Sequence, residues 1–280
     1  MPVWRTLKEV LALCWRERAT ALKFGAVPVA VNIILVVFFT EVAPQSFVER
    51  ARSWGSSVVS MLAFSPFCVA WFRTILFGRD AVATRPFFTI TLLELKFFAW
   101  MLLISVLIAL VGAIAAFIGV TIVLLLGAIN EVLGVVAAVP LSIVGLAVIL
   151  MSLSRWSVGL ARLAAGGEMD LQKAWTVTKP IGWSMAGIQM IIFVGIAAIS
   201  GVLLAGTLPD FIEAVRTKTA ASESTQITVQ LVGTISGAIV LWLTTTMYAL
   251  AYRFVTPVPQ NMPSTAPSPP TPSPNEQTQP

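Results

Sequence analysis

What most constrains this chain is where its charges are missing. Six windows, residues 24–40, 53–72, 97–130, 132–154, 180–209 and 224–252, contain no Asp, Glu, Lys or Arg. A helix needs about 17 to 25 residues to cross a hydrocarbon core of roughly 30 Å, and every window meets that length. A soluble domain carries roughly 25% charged residues because its surface faces water. Here 11% are charged and 57% are hydrophobic, so much of the surface must face lipid instead. The expected fold is all-α, a polytopic transmembrane bundle with short interfacial amphipathic helices. Its six spans fall at about 24–42, 55–76, 97–127, 132–155, 184–206 and 228–252, within a membrane domain of residues 1–255.

The window 97–130 is too long for one untilted span and too short for two spans with a turn. It reads as one long helix, with Asn130 and Glu131 turning the chain into the fourth span. A re-entrant break near Gly112 or Gly119 is the alternative. The first window has the look of a signal peptide, but its leading region would run to Lys23 and no small-x-small cleavage site follows Phe39, so an uncleaved span is expected.

Orientation follows from the basic residues, which gather on the cytoplasmic side. With the N-terminus inside, 14 of the 18 Lys and Arg lie on the inner side, and only Arg50, Arg52, Arg216 and Lys218 lie outside. The 13 acidic residues split 7 inside and 6 outside, so the bias belongs to positive charge alone. Both termini are expected in the cytoplasm of a bacterial cell, with the spans in its inner membrane.

The six spans read as three hairpins built alike. Each even-numbered span ends on an aromatic residue beside arginine: Trp71-Phe72-Arg73, Arg155-Trp156 and Tyr252-Arg253. Such pairs suit the headgroup layer, where the ring stays half-buried and the guanidinium reaches lipid phosphate. Each odd-numbered span follows an amphipathic, tryptophan-bearing stretch, at residues 7–15, 92–100 and 171–183. The outer loops of the first and third hairpins also align: Phe47-Val48-Glu49-Arg50-Ala51-Arg52 with Phe211-Ile212-Glu213-Ala214-Val215-Arg216, each after a proline (Pro44, Pro209). Both read as short helices lying in the outer interface. Interfacial anchoring without duplication would produce the same aromatic–arginine pairs, so both origins stay open.

Within the spans, small residues permit close helix approach: Gly112, Ala116 and Gly119, then Ala197, Gly201 and Ala205, and Gly233-x-x-x-Gly237. Packing inside one bundle is the simpler use of these faces, and a homodimer seam is the other. Polar residues at depth are few. Asn32, Gln189 and Thr245, the last within Thr244-Thr245-Thr246, could line an intramembrane polar path or join helices by hydrogen bonds. None is ionisable, which argues against a proton relay. Prolines at 28, 66 and 140 free carbonyls that can bend their helices.

The richest inner segment spans residues 155–183. Asp170 can cap a short helix over 171–177, with Gly166-Gly167 bending the chain before it. Leu171, Ala174, Trp175 and Thr178 share one face of that helix, and Lys179 follows it, so Trp175 and Lys179 join Trp71, Arg73, Arg155, Trp156, Tyr252 and Arg253 as interfacial anchors. Beyond Thr256 the composition changes: residues 256–280 hold nine prolines and one charge, Glu276. A disordered cytoplasmic tail is expected there.

Catalytic, cofactor-binding and metal-binding residues are not indicated. Histidine is absent, which removes the usual general base and the commonest zinc ligand. Cys14 and Cys68 have no CxxC spacing and read as buried or lipid-facing thiols. The basic residues form no run suited to nucleic acid. The expected partners are membrane lipids, including anionic headgroups on the cytoplasmic side, with a protein partner left open.

The arrangement Arg155-Trp156, Gly167-Glu168 and Ala174-Trp175-x-x-Thr178-Lys179 resembles a broad set of six-helix bacterial inner-membrane proteins of largely unassigned function. They include the YciC-like group and the membrane domain attached to some glycerophosphoryl diester phosphodiesterases. Trp71-Phe72-Arg73-x-x-Leu76-Phe77-Gly78 resembles the aromatic–Arg–Leu–Gly signature that such proteins carry after the second span. In them a glycine often follows the Thr-Lys/Arg pair, where this chain has Pro180. No phosphodiesterase domain is expected in these residues, so the resemblance brings no catalysis with it.

Three functions follow as hypotheses. A non-enzymatic module organising lipid or a partner fits the interfacial helices and the lack of reactive clusters. A transporter or flippase for a small or lipid-like substrate requires a polar cavity near Asn32, Gln189 and Thr245. A membrane-embedded enzyme requires Glu168, Asp170, Asp80 and Glu94 to converge.

Overall fold

A computed structural model describes residues 2–39, 47–86, 88–217 and 222–256. The described residues contain no strand. The helices are α1 (Val3–Arg16), α2 (Arg18–Phe39), α3 (Phe47–Phe77), α4 (Leu92–Ile129), α5 (Glu131–Ala164), α6 (Leu171–Val177), α7 (Gly182–Leu204), α8 (Leu208–Thr217) and α9 (Glu223–Val255). Six of them, α2, α3, α4, α5, α7 and α9, are long and apolar enough to cross a membrane. The protein is thus an integral, multi-pass, all-α membrane protein. The Pro-rich tail from 257 onward lies outside the described residues.

Local chemistry sets where the helices start and stop. Thr91 and Glu94 form a capping box at the start of α4: the Glu94 carboxylate accepts the Thr91 N–H at 2.9 Å, and Thr91 accepts the Leu93 N–H. Glu94 is fully buried, so its charge needs a partner, and Arg85 supplies one at 2.9 Å. Asn130 ends α4 in an extended conformation and its side chain caps α5 by accepting the Val132 N–H at 2.9 Å. No break occurs at Gly112 or Gly119, and α4 is one unbroken helix. At 38 residues it is about 57 Å long. α5 ends at Gly166, whose φ of +90° closes a Schellman motif through Gly167 N–H to Arg162 C=O and Gly166 N–H to Leu163 C=O, both 3.0 Å. The Asp170 carboxylate then accepts the Lys173 N–H at 2.9 Å and starts α6.

One expected interfacial helix and one amphipathic lead-in turn out to be parts of longer helices. Residues 47–52 are continuous with the spanning helix α3, and residues 92–100 are the first turns of α4. In each case nothing breaks the backbone hydrogen-bond ladder between the amphipathic stretch and the apolar run, so the helix simply continues. Separate short helices do form as α1, α6 and α8. α1 presses Leu7, Val10 and Cys14 inward and leaves Trp4, Leu11 and Trp15 exposed. It packs against α7 and α9.

The core sits at one end of the bundle, here termed basal, where α1 and the C-terminal end of α9 lie together. Buried residues fall in the basal halves of the spans: Phe67 to Phe72 in α3, Leu150 to Ala164 in α5, Met185 to Ile192 in α7, and Leu243 to Ala251 in α9. Trp71, 1% exposed, stacks on Phe67 at 6.3 Å and meets Trp242 edge-on at 5.7 Å. Its indole N–H donates to the Thr246 hydroxyl at 2.8 Å, and Cys14 Sγ lies 3.2 Å from the same oxygen.

In the far halves the three hairpins hold mainly to themselves. In α2–α3 the Ser60 hydroxyl donates to Asn32 Oδ1 at 2.5 Å. In α4–α5, Gly134 meets the Gly127 backbone so closely that a Cβ on Gly134 would lie 2.9 Å from Gly127 Cα. In α7–α9 the Ser200 and Ser236 hydroxyls bond at 2.7 Å. Residues at 105–129, 131–149 and 193–204 are otherwise half-buried or exposed, Gly134 excepted. Gly201, Gly233 and Gly237 have nothing within 4 Å of a built Cβ, so those small-residue faces are not packed within the bundle.

Trp71→Ala is expected to destabilise the fold by about 3–5 kcal/mol through the void it leaves. Trp71→Phe keeps the stack and should lose about 1 kcal/mol with the hydrogen bond. Reversible unfolding in mixed micelles measures both, and equal losses would contradict this assignment of the core.

Candidate functional site: a polar-floored cavity between the hairpins

A cavity of about 290 Å³ lies where α3, α4, α5, α7 and α9 converge. The helix directions order its walls. α4 runs away from the basal end and places Phe97 low and Ser105 high. α3, α5 and α9 contribute Cys68, Ser157, Thr244, Thr245 and Tyr248, and α7 contributes Gln189 below Phe193. The polar groups therefore gather toward the basal floor. The upper walls are Leu153, Phe193, Val240 and Leu241, and Gly237, Ser105 and the 38%-exposed Phe193 stand at the mouth.

The floor is a connected set of neutral hydrogen-bonding groups. The Ser154 hydroxyl, behind the wall, donates to Gln189 Oε1 at 2.6 Å. Tyr248, Ser157 and Gln189 line the same part of the cavity, as do Cys68 and Thr245. The Thr244 hydroxyl donates to its own helix at Val240 C=O, 2.8 Å away. Phe72, Phe97, Leu160 and Tyr248, each less than 9% exposed, close the cavity at the basal end. No Asp, Glu, Lys or Arg lines it.

Two other hollows differ from it. One of about 490 Å³ runs along the α4–α5 hairpin between Gly112, Ala116, Gly119, Ala138 and Gly145. Its single polar side chain, Ser142, is bonded to its own helix at Ala138 C=O. The other, about 160 Å³, lies at the basal end between α5, α6 and α9, beside Arg162, Asp170 and Lys173. Binding sites characteristically pair apolar walls with a few convergent polar groups; the inter-hairpin cavity does so with neutral groups, and the smaller basal hollow does so with charged ones.

Of the three residues read as an intramembrane path, Gln189 and Thr245 both line the cavity. Asn32 does not: its amide donates to Pro28 C=O at 2.9 Å and accepts from Ser60, joining α2 to α3. Sequence reasoning missed Ser154, Ser157 and Tyr248. The spacing of Ser154 and Ser157 on one helix, opposite Gln189 on another, was the signal available.

The aromatic–arginine pairs also divide. Trp71 is enclosed by protein and cannot reach headgroups, because α3 continues six residues past it and stops only at Gly78, whose φ is +90°. Arg155 is likewise not a surface anchor. It is 7% exposed, nine residues short of the end of α5, with its guanidinium 4.4 Å from the Trp175 ring centroid. Nη2 donates to Lys179 C=O at 3.5 Å, and a Cβ on Gly182 would lie 2.4 Å from Nε. Trp156 meets Trp175 at 5.9 Å, so Arg155, Trp156 and Trp175 together pin α6 to α5. Arg73, Trp156, Trp175 and Tyr252 are half-buried, and Lys179 and Arg253 are exposed at the basal end.

The acidic residues on this side have separate tasks. Glu94 pairs with Arg85 and caps α4, while Asp170 caps α6. No group of three or more His, Cys, Asp or Glu is placed to hold a metal ion among the described residues. Compared with protein-family models, with curated proteins and with solved structures, the chain finds no match in any of the three.

Ser154→Ala and Gln189→Ala, made singly and together, should show a coupling of about 0.6–1.7 kcal/mol, the range for side-chain hydrogen bonds between membrane helices. A double-mutant cycle on unfolding in micelles measures it; additive losses would disconnect the cavity floor.

Proposed function

We propose that this protein holds a lipid-like molecule within the bilayer and performs no chemistry on it. The observation that carries this reading is the cavity with a neutral polar floor and a mouth at the level where the hairpins part. A lipid diffusing in the membrane reaches such a mouth sideways, without leaving hydrocarbon. Of the acidic residues that could have formed a reactive centre, Glu94 and Asp170 are spent on capping and ion pairing. The reading agrees with the resemblance to six-helix inner-membrane proteins, and anionic headgroups would gather at the basic end.

A transporter or flippase would use the same cavity, and two of the three residues named for that role line it. Passage, however, would have to part Phe72, Phe97 and Leu160 at the basal end. Retention in a blind cavity needs no such movement and is the preferred function.

Placement in a bacterial inner membrane, with both termini in the cytoplasm, belongs to the same proposal. It rests on the 14-to-4 division of basic residues. A green fluorescent protein fused after Thr256 should fluoresce, and alkaline phosphatase fused there should be inactive; the reverse pattern would invert the orientation.

Native mass spectrometry of protein released from lipid nanodiscs should show a retained lipid. Gly237→Phe, which grows into open space at the mouth, should lose it while the protein remains folded. If wild type and variant retain lipid equally, or neither does, the cavity is not the holding site.

A further inference from the structure

The chemistry of the floor selects among lipids. We infer that the cavity takes an uncharged, hydroxyl-bearing headgroup on a hydrocarbon chain, of the acylglycerol type, and turns away phosphate-headed lipids. This rests on the lipid-holding reading above and adds the class of head.

Three observations carry it. First, the groups lining the cavity are hydroxyls, an amide and a thiol, with no cation to meet a phosphate. Counting helical residues from Arg253, Tyr248 and Thr244 lie about 7 and 13 Å inside the basal end. At that depth an ion without a counter-charge costs several kcal/mol, so a phosphate would not leave the headgroup layer to enter.

Second, the floor offers both lone pairs and protons, which a hydroxyl head can meet at once. The Thr244 hydroxyl proton is used on Val240 C=O, so its lone pairs are what remain for a ligand. The Ser154 proton is used on Gln189 Oε1. Gln189 Oε1 is thereby occupied, which leaves its side-chain N–H groups to donate. A ligand that brings its own O–H groups can donate to the free lone pairs. Phosphate diesters and carboxylates carry only acceptors and would leave the Thr244 lone pairs unmet.

Third, size and shape divide the ligand. At about 290 Å³ the cavity falls at the low end of small-molecule sites, roughly 300–1,000 Å³. That suffices for a glycerol head and the first few chain atoms and is far too small for a whole lipid. The apolar upper walls at Leu153, Val240 and Leu241 lead to the mouth, so the remaining chain passes between the hairpins into the bilayer.

The test compares two photoreactive probes with identical acyl chains, a diacylglycerol and the corresponding phosphatidic acid, on the full-length protein in nanodiscs. The diacylglycerol probe should label peptides bearing Phe193 or Leu241 and be displaced by unlabelled diacylglycerol but not by phosphatidic acid. Gln189→Leu should lower that labelling at least tenfold. Gly237→Phe should do the same without touching the polar network, which covers the case in which the Gln189 variant does not fold. Equal displacement by phosphatidic acid would overturn the neutral-head inference and leave the lipid-holding reading intact. Absence of labelling at these peptides by either probe, with lipid still retained in the mass spectra, would overturn the cavity as the headgroup site. Loss of lipid retention as well would remove both.

Discussion

One hydroxyl ties the packed end of the molecule together. Thr246 Oγ1 accepts the Trp71 indole N–H, lies 3.2 Å from Cys14 Sγ, and donates its own proton to Trp242 C=O at 2.9 Å. It thereby links α1, α3 and α9 in a region where water cannot substitute for a lost partner. The hydrophobic effect does not pull helices together in lipid, so close packing and such hydrogen bonds must hold the bundle. α9 is the helix on which these contacts concentrate. It packs against α1, α2, α3, α5 and α7.

The position of this knot explains the asymmetry of the fold. Basal to it, Trp71, Phe72, Met247 and Ala251 are enclosed on all sides. Above it each hairpin relies on its own cross-link, Asn32 with Ser60 or Ser200 with Ser236. The cavity occurs at the boundary, where helices that are tightly bound below begin to diverge. Its polar groups are therefore neighbours of the structural network, on the adjoining face of α9: Thr246 serves the knot while Thr244, Thr245 and Tyr248 face the cavity.

The architecture was legible in the sequence because charge is expensive in hydrocarbon, so its absence marks the spans without any knowledge of packing. Helix ends were legible for a similarly local reason: the Asp170 cap, the turn at Asn130 and the Gly166-Gly167 bend act on backbone groups a few residues away. Trp71 and Arg155 were misread because an aromatic beside arginine looks alike at the headgroups and in a core. Only the helix ends, set by Gly78 and Gly166, reveal that both residues lie well inside. The cavity was half legible. Gln189 and Thr245 stood out as polar residues at depth, but Asn32 stood out equally, and nothing local says which face of a helix meets which neighbour. Tyr248 was hidden because a tyrosine near the end of a span reads as an interfacial ring.

The α4–α5 hairpin carries a mechanical consequence. The charge-free stretch 97–130 within and just past α4 is about 50 Å of apolar rod. A hydrocarbon layer of roughly 30 Å covers it only if the rod leans by roughly 50° or the surrounding lipid stretches to meet it. The charge-free stretches of the third hairpin, 180–209 and 224–252, are about 45 Å long and ask for a smaller lean, so the strain on the bilayer is greatest on the α4 flank. Thickness is then a variable the protein can feel: in a thicker membrane the hairpin stands up, and in a thinner one it lies down. Because α4 and α5 supply Ser105 and Leu153 to the cavity, a change in that lean would widen or narrow the mouth.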